Sequence, residues 1–260
     1  MGTYAAPKAA RTGPGALSAG AIRDLKGVRR LAMLTAYDYP TALALDEAGL
    51  DMILVGDSLG EVELGYASTR WVTLQMMCHH VRAVRHGVSR THLVADMPAS
   101  TYRDAEEAVA SAKALVEAGA DSVKLEGALI PQVEAIIGAG IPVMGHVGLL
   151  PQTAEARRRH GKTADEADAI AQDAAALDAA GCYAIVIEAV VPDLATRITP
   201  HVSCPTIGIA AGNNCDGQVL VSTDLLGLLP DPPPFVKPKA DLRGIVQQVA
   251  RDFVNEVRDA

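Results

Sequence analysis

At 260 residues, 49% of them hydrophobic and 21% charged, the chain is long enough for one eightfold β/α barrel of about 250 residues and can build a core without disulfides. A net charge of −8 with two Phe and one Trp argues against a nucleic-acid binder, which needs Lys and Arg at phosphates and aromatic rings under bases. No stretch reaches the roughly 18 uncharged apolar residues of a membrane span, and Cys78, Cys182, Cys204 and Cys215 form no C-x-x-C pair, so the expected setting is a reducing cytoplasm, with no membrane partner and no thiolate metal site.

Residues 1–21 are rich in Ala, Gly and Pro, lack the apolar core of a signal peptide, and read as a flexible tail ahead of a single domain over 22–260. Apolar β-rich runs then alternate with segments of helical spacing. LAMLTAYD (31–38) precedes a helix over 40–49, DMILVGDS (51–58) one over 72–87, and HLVADMP (92–98) one over 104–119. SVKLEG (122–127) and PVMGHVG (142–148) come before a helix over 165–181, and YAIVIEA (183–189), TIGIAAG (206–212) and QVLVSTD (218–224) complete the series. Gly87, Gly119 and Gly181 stand where a helix stops and a left-handed residue costs least. Acidic residues open the helices at 104 and 165, where they favour the dipole. Continuous apolar strands alternating with helices predict a parallel sheet buried on both faces. Eight such units favour closure into a (β/α)8 barrel, and neither G-x-G-x-x-G nor G-x-x-x-x-G-K-[ST] occurs to mark an open nucleotide-binding sheet.

Five of the strand-like runs close on Asp57 with Ser58, Asp96, Lys124 with Glu126, His146, and Glu188. A parallel barrel brings strand ends to one face, so these residues are expected to share a pocket. Taken singly, Asp57 and Asp96 read equally well as turn caps. Two carboxylates in one pocket repel unless a cation or a proton lies between them, and a hard divalent ion such as Mg²⁺ suits them. Lys124 and Glu126 stand two apart and so point to the same side of a strand. They form either a structural salt bridge or a pair in which Lys124 holds an anionic substrate and Glu126 supports the metal. His146, between glycines in GHVG, is a hydrogen-bonded core residue or a pocket residue. Glu188, closing the apolar run AIVIE, is a candidate general base, with pairing to an Arg such as Arg197 as its alternative.

Nine blocks together resemble the 3-methyl-2-oxobutanoate (ketopantoate) hydroxymethyltransferase family: MLTAYDYP (33–40), DMILVGDSLG (51–60), GYASTRWVT (65–73), ADMP (95–98), VKLEG (123–127), GHVGLLPQ (145–152), IEAVVP (187–192), IGIAAGNNCDGQVLV (207–221) and PPFVK (233–237). The resemblance implies a barrel of the phosphoenolpyruvate/pyruvate type, often assembled as a homodecamer. It implies Mg²⁺ on Asp57 and Asp96 with support from Glu126, substrate contacts from Asp57, Ser58, Asp96, Lys124 and His146, and Glu188 as the base. The implied one-carbon donor is 5,10-methylenetetrahydrofolate and the implied acceptor a 2-oxo acid. That chemistry suits the residues: a 2-oxo acid chelates Mg²⁺ through carboxylate and keto oxygens, which stabilises the enolate formed when a base removes the C3 proton.

The chain departs from the family pattern around the expected pocket mouth. Ala67 stands where an acid is usual, Arg70-Trp71 replace Leu-Pro, Ala99 replaces a larger residue, and Ala210 replaces Gly. The segment after Gln152 reads TAEARRRHGKT instead of a Gly-Gly-Tyr-Lys stretch, with Arg157 to His160 read as a solvated loop. These changes leave open a paralogue acting on another 2-oxo acid, or a folate-independent lyase on the same barrel. Gly56-Asp57-Ser58-Leu59 also spells the nucleophile block of GDSL serine hydrolases, but the D-x-x-H string that would supply their base is missing. A catalytically silent barrel is disfavoured by the presence of all the acids and the lysine together.

Overall fold

The computed structural model describes residues 17–260. It contains α1 (Ala19–Asp24), β1 (Leu31–Thr35), α2 (Tyr39–Glu47), β2 (Met52–Val55), α3 (Leu59–Val62), α4 (Leu74–Gly87), β3 (His92–Asp96), α5 (Ala105–Ala118) and β4 (Ser122–Lys124). There follow α6 (Ile130–Gly138), β5 (Val143–Gly148), α7 (Ala164–Ala179), β6 (Ala184–Glu188), α8 (Pro192–Ile198), β7 (Thr206–Ile209), β8 (Gly217–Leu220), α9 (Ser222–Leu225) and α10 (Leu242–Asp259). The eight strands form a closed barrel in sequence order, and the consecutive pairs from β1 to β8 are parallel. Each strand expected from the sequence is present.

The chain forms two compact units, the first closing at Val219 and the second spanning Leu220–Ala260. The expected tail lies outside the described residues as far as 16. Helix α1 begins ahead of the expected start at 22: Ser18 caps it, accepting from the Ala21 N–H at 3.1 Å, and Ile22 is fully buried.

Strand alternation sorts the core into two layers. Ile53, Val55, Leu93, Ala95, Val123, Ile185 and Ile187 pack with the helices. Their neighbours Met52, Leu54, Val94, Met144, Ala184 and Val186 form a second cluster on the inner face. Helix starts are capped by side chains: Asp38, Thr73, Asp104 and Thr163 each accept from a backbone N–H three residues on. Such a cap is worth about 1 kcal/mol. Gly119 and Gly181 have positive φ, as expected for helix ends. Gly87 does not: it is the last residue of α4, and a Cβ there would sit 2.7 Å from Tyr39 O and Leu43 N of α2. Its role is close helix approach, not a left-handed cap.

In the second unit, Lys239 and Leu242 N–H groups donate to Leu225 O and Leu226 O, and Asp241 caps α10 by accepting from the Gly244 N–H at 2.9 Å. Helix α10 has no buried residue, and Ile245, Val246, Val249, Phe253 and Val257 are exposed along it.

Candidate active site

Inner-face parity delivers polar residues where the strands end. Asp96 comes two residues after Val94, Lys124 two after Ser122, His146 two after Met144 and Glu188 two after Val186, so all continue the inward-facing series. Glu126 lies two residues past Lys124, and Asp57 with Ser58 forms the turn from β2 into α3. Asp57, Asp96, Lys124, Glu126 and His146 are each no more than 6% exposed. All seven candidates therefore gather at the carboxyl end of the barrel, where β/α barrels carry their chemistry. Ion pairs at the other end, Lys26–Asp216 at 2.7 Å and Arg85–Asp121 at 3.1 Å, tie the chain around the strand starts.

Asp96 and Lys124 are register partners on adjacent strands, and Lys124 Nζ lies 2.5 Å from Asp96 Oδ1. The other Asp96 oxygen accepts from the Asp57 N–H at 3.0 Å. Burial works against the Lys124 ammonium, but Asp96, Asp57 and Glu126 together overcome it and hold its pKa above the ordinary lysine value. Burial and then the Asp96 charge push Asp57 up to about 7, against the pull of Lys124. Burial likewise pushes Glu126 up to about 9, with Lys124 opposing and Asp57 adding to it. One buried ammonium thus faces a surplus of carboxylates, an arrangement that a bound cation or retained protons must offset.

Glu188 stands apart from this group. Its Oε2 lies 3.2 Å from His146 Nε2, with the carboxylate side chain 21% exposed. The immediate setting is thus an imidazole as well as apolar surface. Burial, reinforced by Lys124, holds the His146 pKa below the ordinary histidine value, so the ring is neutral at pH 7. Neither ring nitrogen has a partner in hydrogen-bond geometry, although Nδ1 is also 3.9 Å from Glu126 Oε1. Arg197 pairs with Asp168 at 2.8 Å, so the alternative partner for Glu188 is engaged elsewhere. Gly148 admits this packing: with φ +97°, a Cβ there would fall 2.2 Å from Glu188 O.

Three further residues belong to the cluster. The Tyr37 hydroxyl is 2.8 Å from Ser58 Oγ, and Tyr37 O in turn is 2.7 Å from His80 Nδ1. Ser58 therefore leans on a tyrosine where a GDSL nucleophile would need a histidine. Gln152 Nε2 donates to Asp57 Oδ2 at 2.8 Å, and Tyr102 OH donates to Gln152 Oε1. Tyr37 sits in the first strand-end run and Gln152 in GHVGLLPQ, but neither side chain carries a charge that would single it out.

The altered segments meet beside the site. Arg70 Nη2 donates to Ala154 O at 2.5 Å, and Arg157 pairs with Glu61 at 2.5 Å. Between them lies a cavity of about 240 Å³ lined by Glu61, Ser68, Arg70, Pro151, Glu155 and Arg157. In the basic run, exposed Arg158 and half-buried His160 both meet Glu166, at 2.8 and 3.0 Å.

Comparison with solved structures finds the same barrel fold in several enzymes. Phosphonopyruvate hydrolase superposes with a TM-score of 0.65 at 15% identity, covering 93% of this chain and 87% of that one. For 2,3-dimethylmalate lyase, described as a PEP mutase/isocitrate lyase superfamily member, the values are 0.61, 14%, 93% and 88%. Identity this low establishes the shared fold alone. The sequence itself is far closer to another group: the 3-methyl-2-oxobutanoate hydroxymethyltransferase of Oleidesulfovibrio alaskensis is 50% identical over 251 residues, 94% of this chain and 87% of its own. A family profile described as ketopantoate hydroxymethyltransferase matches residues 17–260, spanning the strand ends that carry the buried acids, the lysine and Glu188, and the chain belongs to that family of transferases.

Proposed function

We propose that the chain transfers a hydroxymethyl group from 5,10-methylenetetrahydrofolate to C3 of 3-methyl-2-oxobutanoate, giving 2-dehydropantoate. The observation that carries this reading is the division of the pocket. A buried group of Asp57, Asp96, Glu126 and Lys124 is suited to an anionic 2-oxo acid, and Glu188 stands at its edge beside a neutral imidazole. The name shared by 50%-identical relatives supports the acceptor, and the family resemblance supports the folate donor.

Mg²⁺ fits the donor set. Asp57 and Asp96 supply hard oxygen atoms, and the surplus of buried carboxylate over ammonium is what a dication relieves. Among the described residues no three His, Cys, Asp or Glu side chains form a ready cage, in keeping with a cation that takes one or two carboxylates and keeps positions for water and substrate. We assign Asp57 and Asp96 as its ligands, with Glu126 in support. When bound, the ion draws electron density from the keto acid and so favours ionisation at C3.

The protein groups then have separate tasks. Lys124 pairs with Asp96 and has three N–H donors, enough to offset the charge of the substrate carboxylate and keto oxygen as well. The Ser58 hydroxyl, steadied by Tyr37, offers a further hydrogen bond. Glu188, 3.2 Å from the neutral His146 ring, removes the C3 proton. Water cleaves both C–N bonds of the donor's methylene carbon, its two protons going to the folate nitrogens to give tetrahydrofolate; carbanionic C3 bonds to the formaldehyde-level carbon so released, and the resulting alkoxide takes the proton that Glu188 removed.

We also propose that the chain works as a homo-oligomer in the cytoplasm, the decamer being the assembly the resemblance implies. The exposed apolar stripe on α10 supports assembly. Four free, buried cysteines suit a reducing compartment, and no helix among the described residues is long and apolar enough to cross a membrane.

The deciding experiment is a product assay with a panel of 2-oxo acids, run with and without methylenetetrahydrofolate and Mg²⁺, beside deuterium exchange at C3. Exchange and product from 3-methyl-2-oxobutanoate are expected, with product requiring the folate. A stronger response to a different 2-oxo acid would favour the paralogue reading that Arg70 and Arg157 at the mouth leave in play. Cleavage without folate would mean a lyase, and no exchange with any 2-oxo acid would overturn the assignment.

A further inference from the structure

Gln152 makes hydrogen bonds to groups that follow three other strands of the barrel. It lies after β5 in the segment leading to α7, and is 6% exposed. Its Nε2 donates to Asp57 Oδ2, after β2, at 2.8 Å and to Met97 O, after β3, at 2.9 Å. Its backbone N–H donates to Glu126 Oε2, after β4, at 3.0 Å. Its Oε1 accepts from the Tyr102 hydroxyl. The orientation of the amide follows from chemistry: Met97 O is an acceptor only, so it must face the NH₂, and both amide protons are thereby used.

We propose that Gln152 is a positioning residue that fixes one oxygen each of Asp57 and Glu126 and so couples the ordering of the 149–163 segment to the filling of the carboxylate site. This rests on the cation reading above. With Asp57 Oδ2 and Glu126 Oε2 held by the same residue, each carboxylate keeps its second oxygen for a cation or for substrate. Neither Glu nor Leu, side chains of similar size, reproduces these bonds. A Glu would turn an oxygen toward Met97 O and add a charge against Asp57, and a Leu would strip Asp57, Met97 O and the Tyr102 hydroxyl of their partner at once. Because the same bonds anchor the start of the 149–163 segment, whatever draws Asp57 and Glu126 into place also steadies that segment. Linkage makes the effect reciprocal.

The test uses the full chain with Mn²⁺ alone as probe, followed by electron paramagnetic resonance, together with hydrogen exchange of amides 149–163 and thermal unfolding. In Gln152→Leu, Mn²⁺ affinity should fall about 10- to 100-fold, the range typical when a group orienting a metal ligand is lost. Tyr102→Phe, which frees only Oε1, should lose a smaller, measurable part. In the unsubstituted protein Mn²⁺ should slow exchange in 149–163, and in Gln152→Leu it should not. Affinity within twofold of the unsubstituted protein in the variants, or an equal exchange response to Mn²⁺, overturns the proposal, as does a lowered unfolding temperature with affinity unchanged. Should Gln152→Leu not fold, Tyr102→Phe decides alone by the same criteria. If the unsubstituted protein itself fails to bind Mn²⁺, the cation reading falls and takes this proposal with it, an outcome distinct from normal binding that the substitutions leave untouched.

Discussion

Replacing Lys124 by Met measures how much the buried charge cluster depends on its single ammonium. Nζ and Asp96 Oδ1 are 2.5 Å apart with side chains 7% and 4% exposed. At an effective dielectric of ~20, charges at that separation attract by ~7 kcal/mol before desolvation is subtracted. Desolvation of both ions returns several kcal/mol of this, and breaking a buried pair by removing one member leaves a net cost of about 3–5 kcal/mol. Lys124→Met should therefore destabilise the chelator-treated protein by that amount, because Asp96, Asp57 and Glu126 lose their shared counter-charge. Asp96→Asn should cost less, since Lys124 keeps the other two carboxylates and the amide oxygen still accepts from the Asp57 N–H. The double variant should be cheaper than the sum, by at least ~2 kcal/mol. Urea titrations arranged as a double-mutant cycle give each number. A Lys124→Met cost below ~1 kcal/mol, or additive single costs, would refute the account of the site as one electrostatic unit.

Glu188→Gln should slow C3 deuterium exchange into 3-methyl-2-oxobutanoate by about 10²–10⁴, the usual worth of a general base, while Mg²⁺ affinity measured by calorimetry changes little; undiminished exchange removes Glu188 from that role. The raised carboxyls predict a pH trend in chelator. Protons are held more tightly in the folded than in the unfolded state, so the stabilisation from Asp57 and Glu126 is complete below their unfolded values near 4 and is lost as pH rises through about 7 and about 9. Thermal midpoints across that window should fall, and Asp57→Asn should flatten the lower part of the curve. On α10, Val249→Asp with Phe253→Asp should reduce the mass found by light scattering without altering the barrel's circular dichroism, whereas an unchanged mass would place the assembly surface elsewhere. Ala210 adopts φ +53° just past β7, so Ala210→Gly should stabilise by ~0.5–1 kcal/mol as strain relief outweighs the added chain entropy.

Strands were the most legible part of the chain because each combines a short apolar β-branched run with a polar terminus, and a closed parallel barrel turns that pattern into a location. Helices were legible where an acidic start and a terminal glycine bracketed them, as over 104–119. Segments without such brackets were not: α6 begins at Ile130-Pro131 with no side-chain cap, α8 is only seven residues long, and α10 carries an apolar stripe none of whose residues is buried. Gly87 does end α4, but it read as a left-handed cap because sequence shows only that a side chain is missing. That the missing atom would have struck Tyr39 O of α2 depends on how closely α2 and α4 approach.

Within the site, parity in VKLEG tells which side Lys124 and Glu126 share, but it cannot tell what Lys124 meets there. That depends on the register between β3 and β4, which sets Asp96 opposite Lys124, and a parallel register is a property of two strands and their crossover. The register shows the salt bridge, and that pair is compatible with the substrate contact proposed for Lys124. An ammonium carries three donors, more than its ion pair with Asp96 can engage. The pair fixes where the nitrogen sits and keeps it protonated, which is the state in which its remaining donors can hold an anion. A lysine without that partner would be driven by burial toward the neutral amine and would lose its attraction for a 2-oxo acid. On the role proposed for Lys124, the salt bridge is thus the condition for holding the substrate, and Asp96→Asn should weaken keto-acid affinity even where the proposed cation is restored by excess metal.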